Sequence, residues 1–287
     1  MTDKKLALLV HRDHRRTYQD NVYVYPVVSR RSKGVSIGIN LNPDKICNFD
    51  CAYCQVDRTT PGPTKVVDEE TLQIELREML EFVNSGAMFE DERFSSTPET
   101  LRRLNDIAFS GDGEPTTCPQ FAEIVEMVAD LKSESTKIVL ITNATRFHDP
   151  RVQTGLQTLR QNNGEVWAKL EAGTEQYYQR IERTTIPFQR VLDNITEVAK
   201  QMPIVIQALF MRLDNEPPSL EEQHAFCERL NEITQAGGTI KMVQIYTVAR
   251  RPAEDFVSPL KSDEVDALVD LVKQKTGLEA EPFYGPE

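Results

Sequence analysis

The sequence is poor in the residues that build disulfide-linked proteins and in the long apolar runs that cross membranes. Its 287 residues include five cysteines, which is an odd and small number for this length. This count argues against a secreted disulfide scaffold and favours a reducing cytoplasm. The apolar run near the start, Leu6 to Val10, is far too short for a signal-peptide core or a membrane span. We therefore expect a cytoplasmic globular protein with no membrane association.

The chain also lacks the basic excess that is typical of nucleic-acid-binding proteins. Its 33 Lys and Arg against 45 Asp and Glu give a net charge of −12. A protein of this charge does not attract a polyanion such as tRNA by its overall field. Residues 1–33 reverse the balance, with eight basic and three acidic residues. We expect a basic N-terminal segment, residues 1–34, in which Arg12, Arg15 and Arg16 either meet a small anionic group or form a solvated surface.

Short apolar segments rich in β-branched residues alternate with amphipathic segments along the rest of the chain. The pattern predicts strands at residues 35–41, 106–110, 137–142, 166–170, 204–211 and 242–248. Helices are predicted after Asp68, near residues 121–131, 156–159, 176–183, 188–200 and 220–233, and after Ser262. Because parallel neighbours need crossover helices, the alternation indicates an α/β fold, either a doubly wound sheet or a partly closed barrel of six β/α units. Ligands of both architectures bind at the carboxyl ends of the strands.

The domain organisation predicted from this alternation is simple. Residues 35–287 form one domain, and residues 87–105 interrupt it as a polar, acidic insertion. Within that insertion, residues 102–104 are predicted to form a short helix.

Three cysteines within eight residues, Cys47, Cys51 and Cys54, form the strongest signal in the chain. A disulfide would leave one of them unpaired in a compartment where disulfides rarely persist. Structural zinc takes four ligands, usually from two separated pairs, and no second CxxC is present. An iron–sulfur cluster is held by thiolates, normally four, so three would leave one iron open. Zinc stays open as an alternative, with a fourth ligand from Cys118, Cys227 or His148.

The CxxxCxxC spacing, with Tyr53 before the last cysteine, resembles the signature of the radical S-adenosylmethionine (SAM) superfamily. One branch is similar over more of the chain, and it includes the tRNA wyosine-base synthases and, more distantly, the molybdenum-cofactor enzyme acting on GTP. Wyosine synthases carry further N-terminal cysteines for a second cluster, whereas no cysteine precedes Cys47 here. The similar segments, between about residues 22 and 260, are residues 29–39, 54–60, 110–116, 142–143, 170–173 and 250–252.

The resemblance implies a partial (β/α)6 TIM-like barrel of the radical SAM type and a single [4Fe-4S] cluster on Cys47, Cys51 and Cys54. SAM would chelate the open iron, and an electron from the cluster would cleave it to a 5′-deoxyadenosyl radical that takes hydrogen from a substrate. The resemblance also implies an electron donor such as flavodoxin or ferredoxin. A tRNA base or a purine nucleotide is the expected substrate class, and no catalytic residue is identified.

A glycine-rich loop at the end of the second predicted strand carries the Gly-Glu-Pro motif, Gly113-Glu114-Pro115. Gly111 and Gly113 allow backbone to approach a ligand closely. The resemblance assigns the Glu114 carboxylate to the amino group of the methionyl moiety, and an ordinary surface turn is the alternative.

Polar residues at the ends of the later strands complete the predicted SAM site. Thr142 and Asn143 suit a ribose, although Asn143 could instead cap a helix. Lys169 and Glu171 share one face of a strand, where they reach the cofactor or form a buried ion pair. Gln207 and Gln244 lie in mid-strand, as ligand contacts or as satisfied core amides. The predicted cofactor-binding residues are Tyr53, Gly113, Glu114, Pro115, Thr142, Asn143, Lys169, Glu171 and Gln207.

Other residues carry weaker hypotheses. Arginines near strand ends would clamp an anionic substrate or the cofactor carboxylate, or pair with acidic neighbours: Arg30, Arg31, Arg58, Arg212, Arg250 and Arg251. Cys118 is a catalytic thiol or a small buried hydrophobe, and His224 is expected on a helix surface. A non-enzymatic iron–sulfur protein, acting as an electron carrier or a redox sensor, is the competing class. A zinc-stabilised binding module is the third.

Overall fold

A computed structural model describes residue 16 and residues 18–285 of the chain. Arg12 and Arg15, like His11 and His14, lie outside the described residues. The described residues form strands β1 (Val24–Ser29), β2 (Gly34–Ile39), β3 (Leu104–Phe109), β4 (Lys137–Thr142), β5 (Gly164–Lys169), β6 (Ile204–Leu209), β7 (Met211–Leu213), β8 (Ile240–Tyr246), β9 (Val257–Pro259) and β10 (Ala280–Phe283). The helices are α1 (Glu69–Asn84), α2 (Phe121–Leu131), α3 (Pro150–Gln161), α4 (Glu175–Glu182), α5 (Phe188–Gln201), α6 (Leu220–Gln235) and α7 (Ser262–Thr276).

The chain divides into two compact units. The first contains the described residues up to Ile46, together with Arg58–Leu140 and Arg151–Glu165. The second contains Cys47–Asp57, Ile141–Pro150 and the described residues from Val166 onward. In the first unit, β1, β2, β3 and the part of β4 up to Leu140 are neighbours in that order. In the second unit, the part of β5 from Val166 onward is followed by β6, β8 and β10. A separate antiparallel pair, β7 with β9, belongs to the second unit.

Parallel pairing in the first unit follows from its buried apolar strands. Strands β2, β3 and β4 are parallel, and Ile37, Ile107 and Ile138 lie in register across them, all completely buried. Helix α1 covers this unit with a stripe of apolar residues, and it begins where the Asp68 carboxylate accepts a hydrogen bond from the Thr71 amide at 2.8 Å. The predicted strand–helix order of this region is confirmed.

In the second unit, β5, β6, β8 and β10 are parallel neighbours. Ala168, Ile206, Val243 and Ala280 lie in register in the buried core. One residue further along β5, β6 and β8, Lys169, Gln207 and Gln244 form a polar row toward the carboxyl ends of the strands. The α/β class and the partial (β/α)6 barrel predicted from the sequence are confirmed.

Three local predictions were wrong or incomplete. The predicted helix at residues 102–104 is absent from the described chain: a 3-10 turn spans Glu99–Leu101, and Leu104 already belongs to β3. The edge strands β1 and β10 were not predicted because Pro26 and Pro282 interrupt their patterns. A proline is tolerated at a sheet edge, where its missing N–H removes no ladder hydrogen bond.

The predicted domain boundaries stay predictions, although two features bear on them. Strand β1 lies within the proposed segment 1–34 and pairs with β2. Leu104 and Asn105, at the end of the proposed insertion, are the first residues of β3. Within the described part of the chain, no helix combines the length and the apolar character needed to cross a membrane.

Candidate functional site

The three clustered cysteines lie on one loop of the second unit, residues 47–54, which we call the cysteine loop. Cys47, Cys51 and Cys54 are partly exposed, and all five cysteines are unbridged. The Cys54 amide donates to the Cys51 carbonyl at 2.9 Å, which makes a tight turn. Cys118 and Cys227 are buried outside this loop.

Asn48 fixes the start of the cysteine loop to the turn that follows β4. Its Nδ2 donates to Thr145 Oγ1 at 2.7 Å, and its Oδ1 accepts from Asn143 Nδ2 at 2.8 Å. The Thr145 hydroxyl in turn donates to Asn143 Oδ1 at 2.7 Å, which closes a ring of three side chains. The Asn48 carbonyl accepts from the Thr184 hydroxyl at 3.1 Å. Asn143 therefore braces the cysteine loop, and its alternative role as a helix cap is wrong because the next helix begins at Pro150.

The end of α4 holds the middle of the cysteine loop. The amides of Asp50 and Ala52 donate to the carbonyls of Glu182 and Ile181, at 3.1 and 2.7 Å. These carbonyls belong to the last turn of α4, where helix carbonyls have no intrahelical partner. These protein contacts thus hold the middle of the cysteine loop against α4.

Two buried carboxyl groups lie behind the cysteine loop. Glu171 Oε1 accepts from the Tyr246 hydroxyl at 3.0 Å, and Glu171 Oε2 contacts the Tyr53 hydroxyl. The same Tyr53 hydroxyl lies 3.2 Å from Glu182 Oε1. Glu182 Oε2 also accepts from Cys51 Sγ at 2.8 Å. Because Tyr53 has one hydroxyl proton, it donates to one of the two carboxyl groups at a time.

Burial raises the pKa values of three side chains in this group. Burial raises the pKa of Glu171 well above its usual value, and the neighbouring Glu182 carboxyl raises it further. Burial likewise raises the pKa of Glu182 and of the Cys51 thiol. A metal bound at Cys51 would displace the thiol proton.

Lys169 supplies a cation close to Glu171 and Tyr53. Its Nζ lies 4.0 Å from Glu171 Oε1 and 5.4 Å from the centre of the Tyr53 ring. The Lys169 side chain is 30% exposed, whereas that of Glu171 is 1% exposed. This contact is longer than a hydrogen bond, and both the cofactor contact and the buried pair stay predictions for Lys169 and Glu171.

The donor set fits an iron–sulfur cluster. Among the described residues, no three His, Cys, Asp or Glu side chains converge closely enough to hold a single ion. In a cluster each cysteine binds a different iron. The three unbridged thiols on one braced loop fit the three-cysteine ligand set of such a cluster.

The Gly-Glu-Pro loop lies in the first unit and is held by the end of β2. The Asp112 amide donates to Asn40 Oδ1 at 3.0 Å, and Asn40 Nδ2 donates to Asp112 Oδ2 at 2.8 Å. Arg16 forms an ion pair with Asp112 at 2.9 Å. A Cβ atom at Gly111 would overlap Asn40, and one at Gly113 would overlap the Ile46 carbonyl. Both glycines are therefore required by close packing.

Glu114 is not the surface residue of the alternative interpretation, since it is only 3% exposed. Its Oε1 accepts from the Thr116 amide at 3.2 Å and from the Thr116 hydroxyl at 2.5 Å. Glu114 thereby caps a short 3-10 turn that starts at the buried Pro115.

The remaining predicted residues have mainly structural contacts. Thr142 Oγ1 accepts from the Ala144 amide at 3.0 Å. Gln207 Nε2 donates to Gln244 Oε1 at 2.9 Å, and Gln207 Oε1 is buried without a hydrogen bond. The hydrogen bond to Gln244 favours the core-amide interpretation for Gln207 Nε2. Gln207 Oε1 remains available to accept a hydrogen bond from a ligand. The SAM-binding roles predicted from the sequence stay predictions.

For several residues with weaker hypotheses, the structure shows ion pairs with acidic neighbours or burial in the core. Arg212 Nε lies 3.1 Å from Glu264 Oε2, and Arg251 pairs with the exposed Asp255 at 3.2 Å. Burial raises the pKa of the Cys118 thiol, which fits a small buried hydrophobe. His224 is exposed on α6, as expected.

Sequence reasoning found Asn143 and Glu171, but it missed most of the other residues that hold the cysteine loop and missed the second buried carboxyl group, Glu182. Asn48 lies inside the cysteine motif, and only this position could have suggested a role for it. The others act through contacts between residues far apart in the chain, which no local pattern predicts. They are Thr145, Glu182, Arg183, Thr184 and Tyr246.

Comparison with known proteins gives a family match over more than half of the chain. The model of the radical SAM superfamily matches residues 41–218. The chain is 24% identical over 247 residues to a UPF0026 protein of Helicobacter pylori, a match that covers 84% of this chain and 70% of that protein. It spans about half the length of two further UPF0026 proteins that it matches.

Two solved structures share the fold. The structure of TYW1 with a lysine-pyruvate adduct bound has a TM-score of 0.58 and 12% identity, and the match covers 96% of this chain and 90% of that chain. A radical SAM methyltransferase from Sphaerobacter thermophilus has a TM-score of 0.64 and 10% identity, over 91% of this chain and 69% of that chain. At these identities the likeness concerns the fold alone.

Proposed function

This chain belongs to the radical SAM superfamily, and from that premise we propose that it cleaves SAM reductively at a [4Fe-4S] cluster and abstracts hydrogen from a substrate. It is an enzyme whose specific reaction is not set by its family. The observation that carries the proposal is a set of three unbridged thiols on a loop that protein contacts hold in shape.

Cys47, Cys51 and Cys54 would hold the cluster and leave one iron for SAM. When bound, the cluster supplies the single electron that converts SAM to methionine and a 5′-deoxyadenosyl radical. The bracing of the cysteine loop supports this role, because preset ligands lose little conformational freedom when the metal binds.

The Gly-Glu-Pro loop would bind the methionyl end of SAM. Glu114 offers a buried carboxylate to its ammonium group, and Gly113 and Pro115 fix the backbone on either side. Thr142 and Asn143 would support the nucleoside at the end of β4. The other proposed cofactor-binding residues are Tyr53, Lys169, Glu171 and Gln207.

We propose a small molecule, a purine nucleotide or a tRNA base as the substrate class, and flavodoxin or ferredoxin as the electron donor. The net charge of −12 favours a small substrate over a whole tRNA. The two neighbours, a TYW1 and a methyltransferase, illustrate that one fold serves different reactions, so the fold does not choose among substrates.

Anaerobic reconstitution with iron and sulfide tests the proposal. The wild-type protein should turn brown, and it should release 5′-deoxyadenosine when dithionite and SAM are added. Replacing Cys47, Cys51 or Cys54 with alanine should abolish both properties. Cys227→Ala is the matched control, because Cys227 is buried in α6 and outside the loop, and it should retain both.

Either of two results would contradict the proposal. A brown protein that releases no 5′-deoxyadenosine would be an electron carrier or a redox sensor. A colourless protein that binds zinc stoichiometrically would be a zinc-stabilised module.

A further inference from the structure

Arg183, the residue after α4, has a backbone conformation that arginine rarely adopts. Its φ and ψ are 47° and 51°, in the left-handed region. Helices commonly end in this conformation, but usually with glycine or asparagine, because a Cβ atom crowds the backbone there. A residue that keeps a side chain at such a position points to a use for that side chain.

The side chain of Arg183 joins two segments of the second unit. Its Nε donates to the Asp50 carbonyl at 2.6 Å and lies 3.3 Å from Asp50 Oδ2. One terminal nitrogen donates to Glu254 Oε1 at 2.6 Å. Asp50 lies in the middle of the cysteine loop, between Cys47 and Cys51. The planar guanidinium thus presents separate N–H groups to two partners at once, which a lysine ammonium on a flexible stem does less well.

Glu254 belongs to the segment that follows β8, residues 249–256, and this segment ends where β9 begins. It carries Arg250-Arg251-Pro252, a motif that the proposed function leaves without a role. The Asp214 amide donates to the Phe256 carbonyl at 2.9 Å, which fixes the far end of the segment. Arg183 therefore ties the cysteine loop to a segment that is anchored elsewhere.

We propose that Arg183 is a positioning residue that fastens the cysteine loop to the segment 249–256 and so keeps the three cysteine sulfurs in register for the cluster. The inference rests on the proposed function, because the proposed function assigns an iron–sulfur cluster to the cysteine loop. Asn48 braces the start of the loop and the carbonyls of α4 brace its backbone. Arg183 adds the tie to the segment after β8.

An ion pair at a protein surface often contributes nothing, so the test needs a matched pair elsewhere. Arg212 and Glu264 provide it within the same unit, and neither contacts the cysteine loop in the described structure. The side chain of Arg212 is 19% exposed and that of Arg183 is 32% exposed, so the control arginine is the more buried of the two.

The experiment compares Arg183→Gly, Arg183→Ala and Arg183→Lys with the control Arg212→Ala. Glycine adopts the left-handed backbone without strain, so Arg183→Gly removes the side chain and preserves the turn. In the reconstituted protein, the rate at which an iron chelator bleaches the cluster measures how firmly the cysteine loop holds it. We expect Arg183→Gly and Arg183→Ala to bleach about tenfold faster than the wild type, because a charged hydrogen bond is lost at a site where the arginine is only partly exposed. Arg183→Lys should lie between them and the wild type, and Arg212→Ala should match the wild type.

A second variant tests the contact between Arg183 and Glu254 itself. Glu254→Gln should also accelerate bleaching, and combining it with Arg183→Gly should add nothing further, because the same connection is already broken. Bleaching of Arg183→Gly at the wild-type rate would overturn the proposal. So would equal acceleration by Arg212→Ala.

A measurement without metal separates this proposal from the proposed function. In the cluster-free protein, the rates at which iodoacetamide alkylates Cys47, Cys51 and Cys54 can be read by mass spectrometry. Loss of the Arg183 side chain should speed these reactions, whereas alkylation of Cys227 should not change. If no cluster assembles in the wild type, the proposed function fails, and the alkylation rates still decide whether Arg183 holds the loop.

Discussion

Replacing Asp106 with asparagine should stabilise the protein at neutral pH and leave its stability nearly unchanged in acid. Asp106 lies on β3 and is 3% exposed, and its Oδ1 accepts a hydrogen bond from Ser36 Oγ at 2.5 Å. Burial raises its pKa from 3.8 to about 6, although the Ser36 hydroxyl opposes the change. Asparagine is close to aspartic acid in shape, keeps an oxygen for the Ser36 hydroxyl, and carries no charge at any pH.

The size of the expected stabilisation follows from the raised pKa of Asp106. A carboxyl whose pKa is raised on folding holds its proton more tightly in the folded state. Its cost to stability is therefore absent below pH 3.8 and grows as the pH rises toward about 6. A rise of about two pH units, at about 1.4 kcal/mol for each, gives a cost of about 3 kcal/mol at pH 7. About 2 kcal/mol of this change falls between pH 4.5 and pH 7.5.

Urea unfolding of wild type and Asp106→Asn across that pH range measures the effect. The difference between the two unfolding free energies should grow with pH by about 2 kcal/mol, in favour of asparagine. Other carboxyl groups contribute equally to both proteins and cancel. Asp130→Asn, an exposed change on α2 in the same unit, should follow the wild type at every pH. A difference between wild type and Asp106→Asn that stays constant with pH would refute the reasoning, because Asp106 would then titrate alike in both states.

Two further substitutions test the roles of other buried carboxylates. Glu114→Gln keeps an oxygen for Thr116 and removes the charge, so SAM should bind the reconstituted protein about 10- to 150-fold more weakly. A calorimetric titration measures this affinity, and the exposed change Glu123→Gln is the control. If Glu114→Gln binds SAM as tightly as this control does, Glu114 is not part of the site. Glu75 accepts from the amides of Val22, Tyr23 and Val24 at 2.8 to 3.0 Å, so Glu75→Ala should lower the unfolding free energy by about 3 kcal/mol. Glu78→Ala, an exposed change on the same helix, should cost little, and an equal loss in both variants would show that the three hydrogen bonds contribute nothing.

The alternation of strands and helices was predictable because each element carries its own periodic signal. Helix α1 shows this well: Asp68 marks its start, and Leu72, Leu76, Met79 and Val83 fall on one buried face. The two edge strands were hidden for a physical reason. Pro26 and Pro282 break the strand pattern, and they are compatible with pairing only because β1 and β10 each have one neighbour in the sheet.

The cysteines of the candidate site were predictable because the spacing of Cys47, Cys51 and Cys54 is itself a chemical pattern. The braces were not, because they depend on contacts across long stretches of sequence. Asn48 meets Thr145, and Asp50 meets Arg183, only after the chain folds. Glu182 carries no signal at all in the sequence, and its significance comes from its 2.8 Å contact with Cys51 Sγ.

Electron paramagnetic resonance of the reduced, reconstituted protein tests the central claim most directly. Three cysteine ligands leave one iron accessible, so the spectrum of the dithionite-reduced cluster should change when SAM is added. Spectra that are identical with and without saturating SAM would contradict the assignment of Cys47, Cys51 and Cys54 to a SAM-binding cluster.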